Sequence, residues 1–142
     1  MEIAIIDEGV GIYRTISNAY EVANDSEALN VALMPGASRI NALPEDQNIY
    51  NNSGFGLYVL SSLAASFGWF ATGSGSARII GFNNTSRLVE NFSFSGTFFG
   101  MRLTSQPKNF RDVLSDIISV GEEESGMTGV MRRASGISRV AD

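Results

Sequence analysis

The chain opens on Glu2-Ile3-Ala4-Ile5-Ile6, and β-branched apolar residues in so short a run predict a buried strand. The strand ends on Asp7, and Glu8-Gly9-Val10-Gly11 turns the chain. Over residues 13–34 the apolar positions change to helical spacing. Tyr13, Ile16, Ala19, Tyr20 and Ala23 make a first piece, and Asn24-Asp25-Ser26 offers a break and a fresh N-cap. Ala28, Leu29, Ala32 and Leu33 continue on one face until Pro35-Gly36 stops the helix. Residues 35–53 hold Pro35 and Pro44 among Asn, Ser, Gly, Asp and Gln, the composition of a long loop. After Ser53-Gly54-Phe55-Gly56 the helical period returns. Leu57, Leu60, Leu63, Ala64 and Phe67 fall on one face, and Gly68 can end the helix.

The pattern then turns to strands. Trp69-Phe70-Ala71-Thr72 and Ala77–Phe82 flank Gly73-Ser74-Gly75-Ser76, which predicts a β-hairpin with the glycines and serines in the turn. Residues 83–90 are polar and read as a connection. Asn91-Phe92-Ser93-Phe94-Ser95 alternates with both Phe on one face, and residues 96–103 predict the last strand. Pro107-Lys108-Asn109 makes a break and an N-cap. Phe110, Val113, Leu114, Ile117 and Ile118 follow at helical spacing, Asp112 suits the positive end of the helix, and Gly121 is expected to end it. The stripe must be buried on the domain or on a partner, and packing on the domain is expected. Residues 122–142 continue no apolar period and are expected to be flexible or ordered only against something else.

Composition narrows the classes. A chain of 142 residues with 44% hydrophobic and 18% charged residues is long and apolar enough to form one folded core. The division expected is 1–104 for a binding domain and 105–142 for an amphipathic helix and tail. The formal net charge of −5 argues against nucleic-acid binding through a basic surface, and Arg132, Arg133 and Arg139 read as solvated side chains. The chain has no Cys, which removes disulfides and thiolate chemistry. It has no His, which removes a histidine base and a phosphoacceptor histidine within the chain. No apolar run of about 18 residues and no signal-peptide pattern occurs, so no membrane is expected and a cytoplasmic location is the default.

Two places carry candidate chemistry. A glycine-rich turn entering a helix leaves the first backbone N–H groups without intrahelical partners at the positive end of the dipole, which suits a phosphate. Gly54, Phe55, Gly56 and Leu57 supply that turn, and Ser53 can cap the helix or donate to a phosphate oxygen. Asp7, at a strand end, can accept from an exocyclic amine, and Gly9 and Gly11 leave room for a flat ring. Plain core turns at both places are the structural alternative. Arg39, in the long loop, could reach a phosphate.

Asp7-Glu8-Gly9-Val10-Gly11, Gly54-Phe55-Gly56-Leu57 and Ser95-Gly96-Thr97-Phe98-Phe99, in that order, resemble the D-x-G-x-G, G-x-G-L and late G-T boxes of the GHKL ATPase superfamily. The resemblance spans roughly residues 2–104. It implies the Bergerat fold, an α+β two-layer sandwich with a mixed sheet and helices on one face, here truncated at the N-terminus. It further implies ATP with Mg²⁺ as ligand, adenine contacts from Asp7 and Thr97, and a base pocket and lid hinge at Gly9 and Gly11. Ser53, Gly54, Phe55, Gly56 and Leu57 would stand at the phosphates, and the loop of residues 35–53 would be the ATP lid. The family's N-box, which supplies a Mg²⁺-holding Asn, would lie before Met1. Catalytic and metal-binding residues therefore stay unassigned, and the chain is expected to be a fragment, a truncated relative that needs a partner or homodimer, or a domain without catalysis. An ATPase or protein kinase module is the leading expectation, and a non-catalytic interaction or scaffold module of the same fold is the alternative.

Overall fold

The computed structural model describes residues 1–38, 53–89, 91–104, 109–127 and 133–135. The elements run β1 (Glu2–Asp7), α1 (Gly11–Ile16), α2 (Asp25–Ala32), α3 (Gly56–Phe67), β2 (Gly68–Gly75), β3 (Ala77–Phe82), β4 (Thr85–Val89), β5 (Phe94–Leu103) and α4 (Phe110–Met127). The strands form one sheet in the order β1-β5-β2-β3-β4. Every neighbouring pair is antiparallel, so the mixed sheet expected from sequence is not what these five strands form. β1 and β2 point the same way, but β5 lies between them, and three helices span the connection. The α+β class and the layering of helices on a sheet hold.

Packing follows from the two-residue period of the strands. Phe70, Ala77, Ile79, Phe99 and Met101 face the helices and close on Leu29 of α2 and on Ala64 and Ala65 of α3. Burying large apolar side chains of this kind contributes about 1.5–3 kcal/mol each. The same period puts Ile3 and Ile5 of β1 on this face, beside Met101 and Phe99. No helix covers them, however, and Ile5 remains 56% exposed. The opposite face of the sheet carries Ile6, Trp69, Ile80 and Phe82, all exposed, and a cluster of Phe92, Phe94 and Phe98. The Arg78 guanidinium stands 5.3 Å from the Phe92 ring centroid.

Several expected boundaries move. α1 stops at Ile16 and does not reach Ala23. The new start falls where the N-cap pattern placed it, because the Asn24 side chain accepts from the Glu27 N–H at 2.9 Å and Glu27 Oε2 accepts from the Ala23 N–H at 2.8 Å. The hairpin of β2 and β3 forms, but Gly73, Ser74 and Gly75 belong to β2 and the turn narrows to Ser76. The polar stretch after Phe82 is a strand, not a connection. Asn83 and Asn84 take φ of 49° and 56°, and this left-handed pair turns β3 into β4.

α3 is buried on two sides, which the single apolar stripe did not convey. Ala64 and Ala65 meet the sheet, Val59 and Phe55 meet α4, and Leu60 is exposed. α4 packs on α3 through Leu114 and Ile118, as its stripe predicted. It continues past Gly121 to Met127. Gly121 is buried there because a Cβ would come within 2.5 Å of Tyr58 Cε1 and 3.1 Å of Phe55 Cε1, so the glycine lets the helices approach.

The Tyr58 hydroxyl donates to the Ile117 carbonyl oxygen at 3.2 Å, across this same interface. Burial, and secondarily the charge of Glu124, raises its pKa above the ordinary value of 10.0. The folded state then holds this proton more tightly than the unfolded chain. Its contribution to stability is complete below pH 10 and is lost as the pH rises through the folded pKa. Absorbance titration of the tyrosines together with denaturant unfolding between pH 9 and 11.5 (about two units around the tyrosine range) is expected to show a late-titrating tyrosine and a fall in stability. The Tyr58→Phe variant loses that late step.

Candidate functional site

Asp7 and Thr97 are direct partners across the β1–β5 ladder, and Thr97 is in turn the partner of Ser74 on β2. The alternation of the strands sets all three on the helix-facing side of the sheet, in one row at its end. Asp7 and Thr97 of this row close one end of a cavity of about 410 Å³. Asp7, Gly11 and Thr97 line it, and so do Gly54, Gly56 and Leu57 at the start of α3. Val10, Ile12, Ile16 and Ala32 give it apolar walls, and Thr15 and Ser38 add hydroxyls. Six of the nine residues singled out in the sequence thus meet around one space.

The other three are elsewhere. Gly9 lies behind the turn, where its N–H donates to Asp7 Oδ1 at 2.9 Å. A Cβ on Gly9 would stand 2.9 Å from Asp7 Oδ2, so this glycine lets the carboxylate fold over the turn. Phe55 is fully buried in the α3–α4 cluster, and its side chain cannot touch a ligand in the cavity. Ser53 does not cap α3. Phe55 occupies the N-cap position without a side-chain cap, and Ser53 Oγ accepts from the Ser135 N–H at 3.2 Å. Arg39 lies outside the described residues.

A residue that sequence reasoning set aside holds the site together. Ser74 is buried, its Oγ accepts from the Ile12 N–H at 2.9 Å and donates to the Gly96 carbonyl oxygen at 2.6 Å. It thereby ties the first turn of α1 to β5. Gly11 has φ +80°, and a Cβ there would meet Ser74 Oγ at 2.9 Å. In sequence Ser74 reads only as a hairpin residue, since its partners are 62 and 22 positions away.

The polar groups divide by task. Asp7 Oδ1 is held by Gly9, and among the described residues Asp7 Oδ2 and the Thr97 hydroxyl have no hydrogen-bond partner. A carboxylate oxygen and a hydroxyl side by side can take a donor and an acceptor from one planar ligand. At the other end the start of α3 presents backbone N–H groups to an anion. The glycines there differ. Gly54 has φ +75° and sits against the backbone of Gly36 and Ala37, so the turn requires it. Among the described residues, no atom beyond its own helix turn comes within 4 Å of a would-be Cβ on Gly56. Nothing among the described residues demands a glycine at that position, and Gly56 lines the cavity.

A larger cavity of about 620 Å³ lies between α3, α4 and the β3–β4 turn. Among the described residues its one charged lining residue is Asp116, a carboxylate that repels phosphate, so size does not select it as an anion site. Among the described residues no group of three His, Cys, Asp or Glu is placed to hold a metal ion, and Asp7 is the one acidic residue lining the smaller cavity. No described helix is long and apolar enough to cross a membrane. No family model, curated protein or solved structure matches the chain, and the site is therefore read from its own geometry.

Proposed function

We propose that the chain binds an adenine nucleotide, ATP, in the cavity between the β1–β5 strand ends and the start of α3. The observation that carries this reading is one cavity with an acceptor–hydroxyl pair, Asp7 and Thr97, at one end and a glycine-bearing helix N-terminus at the other. Its volume of about 410 Å³ falls within the roughly 300–1,000 Å³ common for small-molecule sites. Asp7 Oδ2 accepts from the exocyclic amine of adenine, Thr97 bridges to the ring, and the apolar walls take its faces. The phosphates lie at Gly54, Gly56 and Leu57. On this reading the cavity is the nucleotide site of a GHKL-type, Bergerat-like domain. Binding is the proposed activity; hydrolysis or phosphoryl transfer is not proposed, because no second carboxylate lines the cavity among the described residues.

Calorimetric titration with Mg–ATP tests it beside Asp7→Asn. Gly9 keeps the side-chain oxygen, so the Asn amide turns its NH₂ toward the adenine amine, donor against donor. Affinity is expected to fall by about 10- to 100-fold, the cost of an unsatisfied buried donor. GTP, which offers a carbonyl oxygen to Asp7, binds weakly to the parent protein. Equal affinities in the parent and the variant sink the reading.

A non-catalytic interaction module is the second reading, favoured by the uncovered Ile3 and Ile5 on the helix side of β1. Contiguous exposed apolar residues of this kind mark association surfaces. It predicts concentration-dependent mass by sedimentation without ATP binding.

A further inference from the structure

The segment at residues 133–135 returns to the start of α3. Ala134 is buried in the cluster of Phe55, Val59, Leu114 and Ile118. Its N–H donates to Glu122 Oε1 on α4 at 2.9 Å. The next N–H, of Ser135, donates to Ser53 Oγ across 82 positions of chain. Ser53 immediately precedes Gly54, and Phe55 stands between the two glycines of the turn. The segment therefore grips the turn on both sides of Gly54, from behind, and none of its residues lines the cavity.

We propose that residues 133–135 are a strap that holds the glycine turn in its anion-binding shape, with Ser53 and Ala134 as positioning residues. The strap thereby sets the affinity for the phosphate end of a nucleotide without touching it. The ligand half of this inference rests on the nucleotide reading above; the strap itself rests on the contacts. The physical need is plain. Glycine has more backbone freedom than any other residue, and a turn with two of them keeps its N–H groups convergent only if something outside the turn fixes it. Phe55, as a fully buried side chain between them, is the handle through which α4 and the strap act.

The test uses the full chain with Ser53→Ala, which deletes one acceptor at a half-buried position, and Ala134→Asp, which puts a charge into the apolar cluster. Two readouts are taken: amide hydrogen exchange, and titration with Mg–ATP and separately with adenosine. Exchange at residues 54–59 is expected to quicken in both variants while β5 amides at 97–101 stay protected. Mg–ATP affinity is expected to fall about three- to tenfold in Ser53→Ala, the worth of one hydrogen bond, and further in Ala134→Asp. Adenosine affinity stays the same. Unchanged exchange at 54–59 overturns the strap, as does an equal loss for adenosine and Mg–ATP. Should the parent protein bind neither ligand, the nucleotide reading fails, and the exchange pattern alone then upholds or overturns the strap. If Ala134→Asp does not fold, Ser53→Ala decides.

Discussion

Gly54→Ala is expected to destabilise the protein by about 2–4 kcal/mol, whereas Gly56→Ala, two positions on, stabilises it by up to about 1 kcal/mol. The difference is local geometry. Gly54 holds φ +75°, where an L side chain is strained, and its Cβ would come within 2.6 Å of the Gly36 carbonyl carbon and 2.7 Å of the Ala37 oxygen. Both are backbone atoms and cannot swing aside. Gly56 begins α3, has no left-handed strain and has free space around its would-be Cβ, so alanine brings only its better helix propensity. On binding the order reverses in meaning. Gly56→Ala leaves the fold intact but puts a methyl group where a phosphate is to approach, and Mg–ATP affinity is expected to fall about tenfold or more, as for loss of one charge-assisted hydrogen bond. Thermal denaturation and titration of the two variants check both halves. A Gly56→Ala protein of full stability and undiminished affinity shows that the phosphates do not lie there.

Gly96→Ala is expected to cost at least about 4 kcal/mol or to prevent folding outright. Gly96 has φ +102°, and its Cβ would be driven into the Asp7 carbonyl oxygen. The Ser74 hydroxyl also bonds the Gly96 carbonyl, so the backbone has no room to retreat. Relief requires β1 to part from β5 where Asp7 and Thr97 are paired. Gly100→Ala in the same strand is the matched control. Its nearest neighbour would be the Ile3 oxygen at 3.9 Å, an ordinary contact, and its stability is expected to be unchanged or slightly raised. Urea unfolding of the pair measures the gap.

How far the sequence foretold the structure depended on the range over which each signal acts. The turn at Gly54 and the break at Asn24 were legible because caps and left-handed turns are chemistry of a few adjacent residues. The β2–β3 hairpin was legible for the same reason. β4 was not, because Thr85, Ser86 and Arg87 form an exposed edge strand with no apolar alternation to mark it. The antiparallel sheet could not be read, since β5 pairs with β1 at the start of the chain and with β2 in its middle. At the site, the resemblance groups Asp7, Thr97 and the α3 glycines around one ligand, whereas their residues alone read as separate motifs that only the β1–β5 register brings to one cavity. The resemblance places Phe55 at the phosphates, but it does not tell that the side chain points away from the cavity. Its neighbours Leu114, Ile118 and Ala134, which turn it inward, are 59 or more positions away. Ser74 went unseen because a serine between glycines looks like a turn wherever it occurs.

The most direct test of nucleotide binding at this cavity is a map of backbone amide shifts on adding Mg–ATP to the labelled protein. The account predicts shifts at Gly11, Gly54, Gly56, Leu57 and Thr97, with those at Gly54–Leu57 much reduced when adenosine replaces ATP. Shifts gathered instead at Ser62, Asn84 and Asp116, around the larger cavity, or no shifts at all, would contradict it.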